Sequence, residues 1–575
     1  MKPRGAAPQA VAPSSVAEMP AANPRFVPAR ELALHSTGAD GPRGWLLTEN
    51  GYVGSFVKVE RAGQVRVVVR AFGHSQDELL PGFMIVVAAG TTGGTVTGVP
   101  EDYHLDVALP AGTYFVRIEF ADPVPRAARE LVIEGLSVEG ATFLPRSTDE
   151  VALAAADTYI ENFRKRRGSV HLSDARSGAL AKVALVRPAF GFGTNIPGAT
   201  NRMIPKKVPP GSEAEKFQSL VLGRFDTVVL SNGGKWVYQE ERRDKVDLTY
   251  VDRFLDFAEE HRLRARMHTM LWDTVQEPAW VASVDPKTPG LLTRARSGDE
   301  KSKTELRVEI SERIEDYVGA RAKRYAELDV LNESAHKARY LEVYGERGVA
   351  EIIVESARAA ARAGARTRLY LNEYNLLQWS ADPKTSAPDP YANWYRRHAD
   401  AVAREGAPIG FLGVQYYADG RDAAEIGPDA HSAARIFQVL QNLSVAGRRL
   451  VLTEFEVRGG TTSRERAAVI LDETMRLAFG TPSVDSFLIW AIWAAAASTP
   501  EPASILFEKD GSITEAGRRY DALRAAWTTR LEVPVGANGS IEFSGFIGEY
   551  TATIDGKTQK FSFPPRIMKT GSEGD

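Results

Sequence analysis

The stretch "RYAELDVLNES" (residues 324–334) decides how this chain is read. Leu328, Val330 and Leu331 make a short buried strand, which is expected to finish in apolar or turn residues. It finishes instead in Asn332 and Glu333, an amide followed by an ionisable carboxyl. A carboxyl taken inside without a partner is costly, so the fold has to give it a use. The chain around it supplies one. From about residue 190 to 527 strand-like and helix-like segments alternate. "FDTVVLSNGG" is followed by the amphipathic "YVDRFLDFAEEHR", and "LRARMHTMLW" comes next. Further on, "TRLYLNEYN", "RRLVLTEFEV" and "VDSFLIWAIW" are separated by helical patterns. A sustained strand–helix rhythm means a parallel sheet with helical crossovers. Over this length an eight-fold β/α (TIM) barrel fits better than an open sheet, and no Gly-rich phosphate loop follows any strand. Strand C-termini build the site in such a barrel.

Working outward, residues 25–146 read as an all-β sandwich, with short β-branched runs such as "GQVRVVVRAFG" and "GFMIVVAAG" punctuated by Gly, Pro and Asp. Near residue 147 the pattern turns helical, with Val151, Ala155, Tyr159 and Phe163 four apart. "SVHLSDARSGALAKVALVRP" reads as two strands around a turn, within a barrel domain assigned to residues 147–527. Residues 528–566 return to β character as a small extension, with "GANGS" and "DGK" as hairpin signals. The Ala/Pro/Ser-rich residues 1–24 are a disordered leader or linker, and 567–575 a disordered tail. The charged segment 283–303 reads as a loop beside the cleft or a solvated insertion. The fold class is therefore multidomain, a barrel preceded by a sandwich and followed by a β extension.

Composition narrows the chemistry. The 575 residues are 43% apolar and 25% charged, as in globular chains, with a formal net charge of −3. Near-neutrality leaves no footprint for nucleic acid or an anionic membrane. The absence of cysteine excludes disulfides, thiolate nucleophiles and zinc-thiolate sites. No apolar run is long enough to span a bilayer. The nine histidines show no metal-like spacing, so no metal or cofactor is expected.

The strand ends repeat the oddity of Glu333. They carry Asn232 and Lys235, His268 and Trp272, Asn372 and Glu373, Gln415 and Tyr417, Glu454, and finally Trp490 and Trp493. Amides and charges bind hydroxyl groups, and indoles stack on the apolar faces of sugar rings. Two glutamates on separate strands are the minimum equipment for glycoside hydrolysis, one protonated as donor and one ionised as nucleophile or base. Asn332, beside Glu333, is placed to hold a sugar 2-hydroxyl.

These segments resemble those of glycoside hydrolase family 10, the retaining endo-β-1,4-xylanases. "HTMLWDTVQEPAWV" is similar to that family's His-Thr-Leu-Val-Trp-His…Pro-Ser-Trp-Val segment, and "RYAELDVLNES" to its Trp-Asp-Val-Val-Asn-Glu segment. "RLYLNEYN" and "LVLTEFEV" resemble its Leu-Tyr-Ile-Asn-Asp-Tyr-Asn and Ile-Thr-Glu-Leu-Asp segments. The resemblance implies Glu333 as acid/base and Glu454 as nucleophile. It implies Asn232, Lys235, His268, Trp272, Asn332, Gln415, Tyr417 and Trp490 as sugar contacts, with carboxyls about 5–5.5 Å apart. Four positions depart from the family. Ser231 stands for a sugar-binding Glu, Asp273 for a second His, Tyr417 for a His that orients the nucleophile, and Leu328 for a Trp. The sandwich resembles the carbohydrate-binding modules attached to such barrels, and a purely structural β-domain is the other reading.

The expected function is hydrolysis of a β-1,4-linked polysaccharide or oligosaccharide, xylan first, by a secreted or periplasmic monomer with no nucleic-acid or membrane partner. The rivals are the same machinery on another β-glycan, and a non-catalytic glycan-binding protein with a degenerate barrel.

Overall fold

The computed structural model describes residues 25–76, 79–88, 90–122, 128–173, 175–274, 276–378, 390–422, 430–498 and 500–562. The leader read over 1–24 and the tail over 567–575 lie outside the described residues.

The first domain is a sandwich of two six-stranded sheets. In strand Gly63–Ser75, Val65, Val67 and Val69 point into the core while Gln64, Arg66 and Arg70 face water. This is the period-2 pattern of a half-buried strand. Two strands of the other sheet lack it. Strands Gly51–Val59 and Gly112–Phe120 are buried almost throughout because their second face lies on the barrel. Phe56 and Phe115 meet Phe437 of a barrel helix at ring distances of 5.0 and 5.2 Å. Helix α1 (Asp149–Phe163), capped by the Thr148 hydroxyl on Val151 N, runs between the two domains. It lies so close to a barrel helix that a Cβ at Gly480 would come within 2.4 Å of Ala156 Cβ.

The barrel closes from eight parallel strands in chain order. They are β1 (Gly191–Ile196), β2 (Thr227–Leu230), β3 (Arg264–Met267), β4 (Glu327–Asn332), β5 (Arg368–Glu373), β6 (Phe411–Ala418), β7 (Arg449–Val457) and β8 (Val484–Ile489). Helices such as α2 (Arg339–Arg362), α3 (Ala433–Leu443) and α4 (Arg464–Gly480) cover the outside. Inside the barrel Arg266, 1% exposed, pairs with Glu327 and Asp329 and lies 4.4 Å over the Tyr370 ring. Removing the cation would leave Glu327 with Arg368 alone and Asp329 with His268 alone, so Arg266→Met should cost about 1.5–3 kcal/mol in urea unfolding. A cost under about 1 kcal/mol would show that the pair is not coupled to the fold.

The structure draws the domain limits differently from the sequence reading. Strands Lys165–His171 and Leu180–Pro188 do not pair with each other. The first pairs with Ser540–Phe546, the second with Arg530–Pro534 and Gly548–Ile554. Residues 165–188 therefore belong with 530–562 in one small β unit, and the barrel sits in the chain between its two parts. Local pattern cannot reveal partners so distant in sequence. For the same reason "GANGS" closes no hairpin: its flanking strands join different sheets. "DGK" does close one, with Asp555 and Gly556 at φ 48° and 78°. Segment 283–303 is not a cleft loop. It holds helix Leu291–Arg296 and the start of Glu300–Ile314, and it buries Leu291, Leu292 and Ala295 beneath its charges.

Candidate active site

The C-terminal strand ends open into a cleft of about 650 Å³. β4 delivers Asn332, and Glu333 follows at φ 61°. A left-handed conformation costs a non-glycine residue about 1–3 kcal/mol, and the surroundings must hold it. Here Glu333 N donates to Asn372 O at 2.7 Å, and Glu333 O accepts from His336 N and Lys337 N. Glu373, fully buried at the end of β5, fixes the same turn by accepting from Ala335 N at 2.7 Å and Tyr374 N at 2.9 Å. Its other contact is His336 Nδ1 at 2.8 Å.

The Glu333 carboxyl accepts from Trp272 Nε1 at 2.7 Å and from Gln415 Nε2 at 3.1 Å. Burial raises its pKa to about 6, with the Glu454 charge adding to the rise and the two donors opposing it. Glu454, from β7, is held differently. Tyr417 donates to its Oε2 and Asn372 Nδ2 to its Oε1 at 3.3 Å, while His268 Nδ1 lies 3.9 Å from Oε1. Burial and the neighbouring glutamates keep the Tyr417 phenol well above its ordinary range, hence protonated and a donor. Hydrogen bonds to a charged group are worth about 1.5–3 kcal/mol. Tyr417→Phe should therefore lower kcat by about 10- to 100-fold with KM little changed, and unaltered turnover would remove Tyr417 from the site.

The remaining candidates surround this pair. Lys235 Nζ donates to Asn232 Oδ1 at 2.8 Å and sits 4.7 Å over the Trp272 ring. Burial brings its pKa down to about 8 against the pull of Glu454 and Glu333. His268 Nδ1 is 3.0 Å from Asp329 Oδ2, and its ring meets Trp490 edge-on at 5.6 Å. Asn332 lies behind the cleft wall. Its Oδ1 accepts from Asn372 Nδ2 and Gln415 Nε2, and its buried Nδ2 has no partner among the described residues. Nine of the ten candidates line the cavity, with Asn332 as the tenth beneath it.

Sequence reasoning missed Glu456 and Arg458, which line the same cleft. Burial pushes Glu456 up to about 7, and Arg458 lies 4.6 Å over the Tyr417 ring. The signal was available, since Glu454 and Glu456 are two apart on one strand and so face the same side. Of the four departures, Ser231 and Tyr417 line the cleft, and Leu328 is buried in β4. Asp273 is committed elsewhere, binding Arg339 through N and guanidinium at the start of α2. Among the described residues one group of acids is close enough to share a cation, Glu240, Asp244 and Glu309. It lies outside the cleft, and Arg243 already pairs with Glu309.

The sequence profile of glycosyl hydrolase family 10 matches residues 200–521, more than half of the chain. The chain belongs to glycosyl hydrolase family 10. Endo-1,4-beta-xylanase 1 of Arabidopsis thaliana is 25% identical over 381 residues, which is 66% of this chain and 35% of that protein. Anti-sigma-I factor RsgI6 of Acetivibrio thermocellus is 25% identical over 410 residues, 70% of this chain and 47% of that protein. The chain thus spans less than half the length of these curated relatives. Among solved structures, xylanase 10B from Thermotoga petrophila RKU-1 in complex with xylobiose aligns at 17% identity and a TM-score of 0.47. That alignment covers 59% of this chain and 94% of the other.

Proposed function

We propose that the chain is a retaining endo-β-1,4-glycanase whose first substrate is xylan. One observation carries this reading. Two carboxyls from separate strands share one cleft in different settings: Glu333 is pushed toward protonation, and Glu454 accepts from Tyr417 and Asn372. Glu333 would protonate the glycosidic oxygen as Glu454 attacks the anomeric carbon. The glycosyl ester formed at Glu454 removes a charge that adds to the effect of burial on Glu333. Glu333 then takes a proton from water as that water displaces the ester. Asn232 and Lys235 would bind hydroxyls, while Trp272 and Trp490 would border the sugar rings.

The pH profile follows with a definite sign. The proton donor exists only below its pKa, so kcat/KM should fall tenfold per pH unit above about 6. Trp272 Nε1–H favours the ionised form, so Trp272→Phe should move that limb to higher pH. A limb that stays put or moves down would contradict the assignment.

A second substrate reading, another β-glycan, draws support from Ser231 and from the Glu456–Arg458 pair in the cleft. For the sandwich we favour a packing role. One sheet is covered by the barrel, and the other carries the exposed ion pairs Arg66–Asp106, Arg70–Asp102 and Arg70–Glu134. A polymeric substrate is consistent with action outside the cytoplasm. Reducing-sugar release from glucuronoxylan, with Glu333→Ala as control, tests the substrate. Release confined to another β-glycan would retain the machinery and replace xylan.

A further inference from the structure

The opposite end of the barrel holds a second cavity, of about 520 Å³, where the sandwich meets the strand beginnings. Its size falls in the range of small-molecule sites. It is separate from the cleft, since Arg368, Phe411 and Arg449 begin β5, β6 and β7 whereas the glutamates lie at strand ends. The wall is apolar, with Met84 and Val86 from the sandwich facing Phe115, Phe411 and Phe437.

Its polar groups divide into a mouth and a floor. At the mouth Arg368 and Arg449, about a third exposed, share Asp485 and are paired off. On the floor Arg117 and Arg448 are more than nine-tenths buried. Arg117 gives its terminal nitrogens to Glu119, Gln441 and Ser444, but its Nε has no partner among the described residues. Arg448 gives Nη2 to Asp400, while its Nε and Nη1 have no partner among the described residues. The lining counts four arginines against two acids, with Asp400 and Glu327 behind the wall pairing Arg448 and Arg368, so the case for a ligand rests on the unpartnered guanidinium nitrogens. Buried guanidinium donors without partners are expensive. An anion would satisfy them with charge-assisted bonds, and its body would have to be apolar to match the wall.

We propose that this cavity binds an amphipathic organic anion, its carboxylate on Arg448 and Arg117 and its tail against Phe115, Phe411 and Phe437. Calorimetric titration of the full chain with decanoate, below its micellar range, tests this. Saturable one-to-one binding is expected. Decanol should bind at least about tenfold more weakly, and acetate should give no saturable signal, because head and tail are both required. Glu333→Ala should bind decanoate like the parent, which places the site outside the cleft. Arg448→Met should weaken binding at least about tenfold. Because that change leaves Asp400 unpaired and threatens folding, Val86→Trp is the second variant. It fills the space beside Arg117, its cross-strand neighbour, while leaving both partners of every ion pair in place, and should abolish binding. No saturable binding of decanoate, equal affinity for decanol, or unchanged binding in Val86→Trp would each overturn the proposal.

Discussion

Replacing Glu454 by Gln should lower turnover by about 10⁴-fold or more, the scale on which loss of a covalent nucleophile is felt. A carboxamide of the same shape cannot form the glycosyl ester, so binding survives and chemistry does not. The variant carries a second signature. Without the Glu454 charge the Glu333 carboxyl loses one of the three influences that raise it, burial and Glu373 being the others, so its pKa should fall from about 6. Carbon-detected NMR titration of the Glu333 carboxyl reads this directly. A variant that keeps more than about 1% of parent turnover, or an unmoved Glu333, would remove Glu454 from its assigned place.

Glu333→Ala should cost about 10²–10⁴ on xylan, the usual range for a positioned general acid. The loss should depend on the leaving group. An aryl β-glycoside with an acidic phenol needs no protonation, so its first step should proceed and glycosyl-enzyme should accumulate. Added azide, a nucleophile that needs no base, should then release it as the β-glycosyl azide. Equal loss on both substrates with no rescue would assign Glu333 a structural part. The left-handed backbone at Glu333 and its hydrogen bond to Asn372 O give that alternative substance.

How much of this was legible before folding depends on the range of the signal. The barrel strands could be read because each is a short apolar run ending in polar residues, and Glu333 and Glu454 stood out as carboxyls at such ends. Glu456 was hidden by treating "TEFEV" as the bearer of one carboxyl, although alternation places both glutamates on one side. The pairing of 165–188 with 530–562 is a contact between segments some 350 residues apart, which no local periodicity encodes. The double burial of strand 112–120, Arg117 and Glu119 included, follows from docking on the barrel, which the strand's own residues do not encode. In 283–303 the charges outnumber and mask Leu291, Leu292 and Ala295, which anchor its helix.

The most direct test of the central claim is the anomeric configuration of the first product. Proton NMR during the first minutes of xylohexaose hydrolysis should show the β anomer of the new reducing end appearing first. The α anomer should grow only at the rate of mutarotation. An α anomer formed first, or no cleavage at all, would contradict double displacement through Glu454 and Glu333.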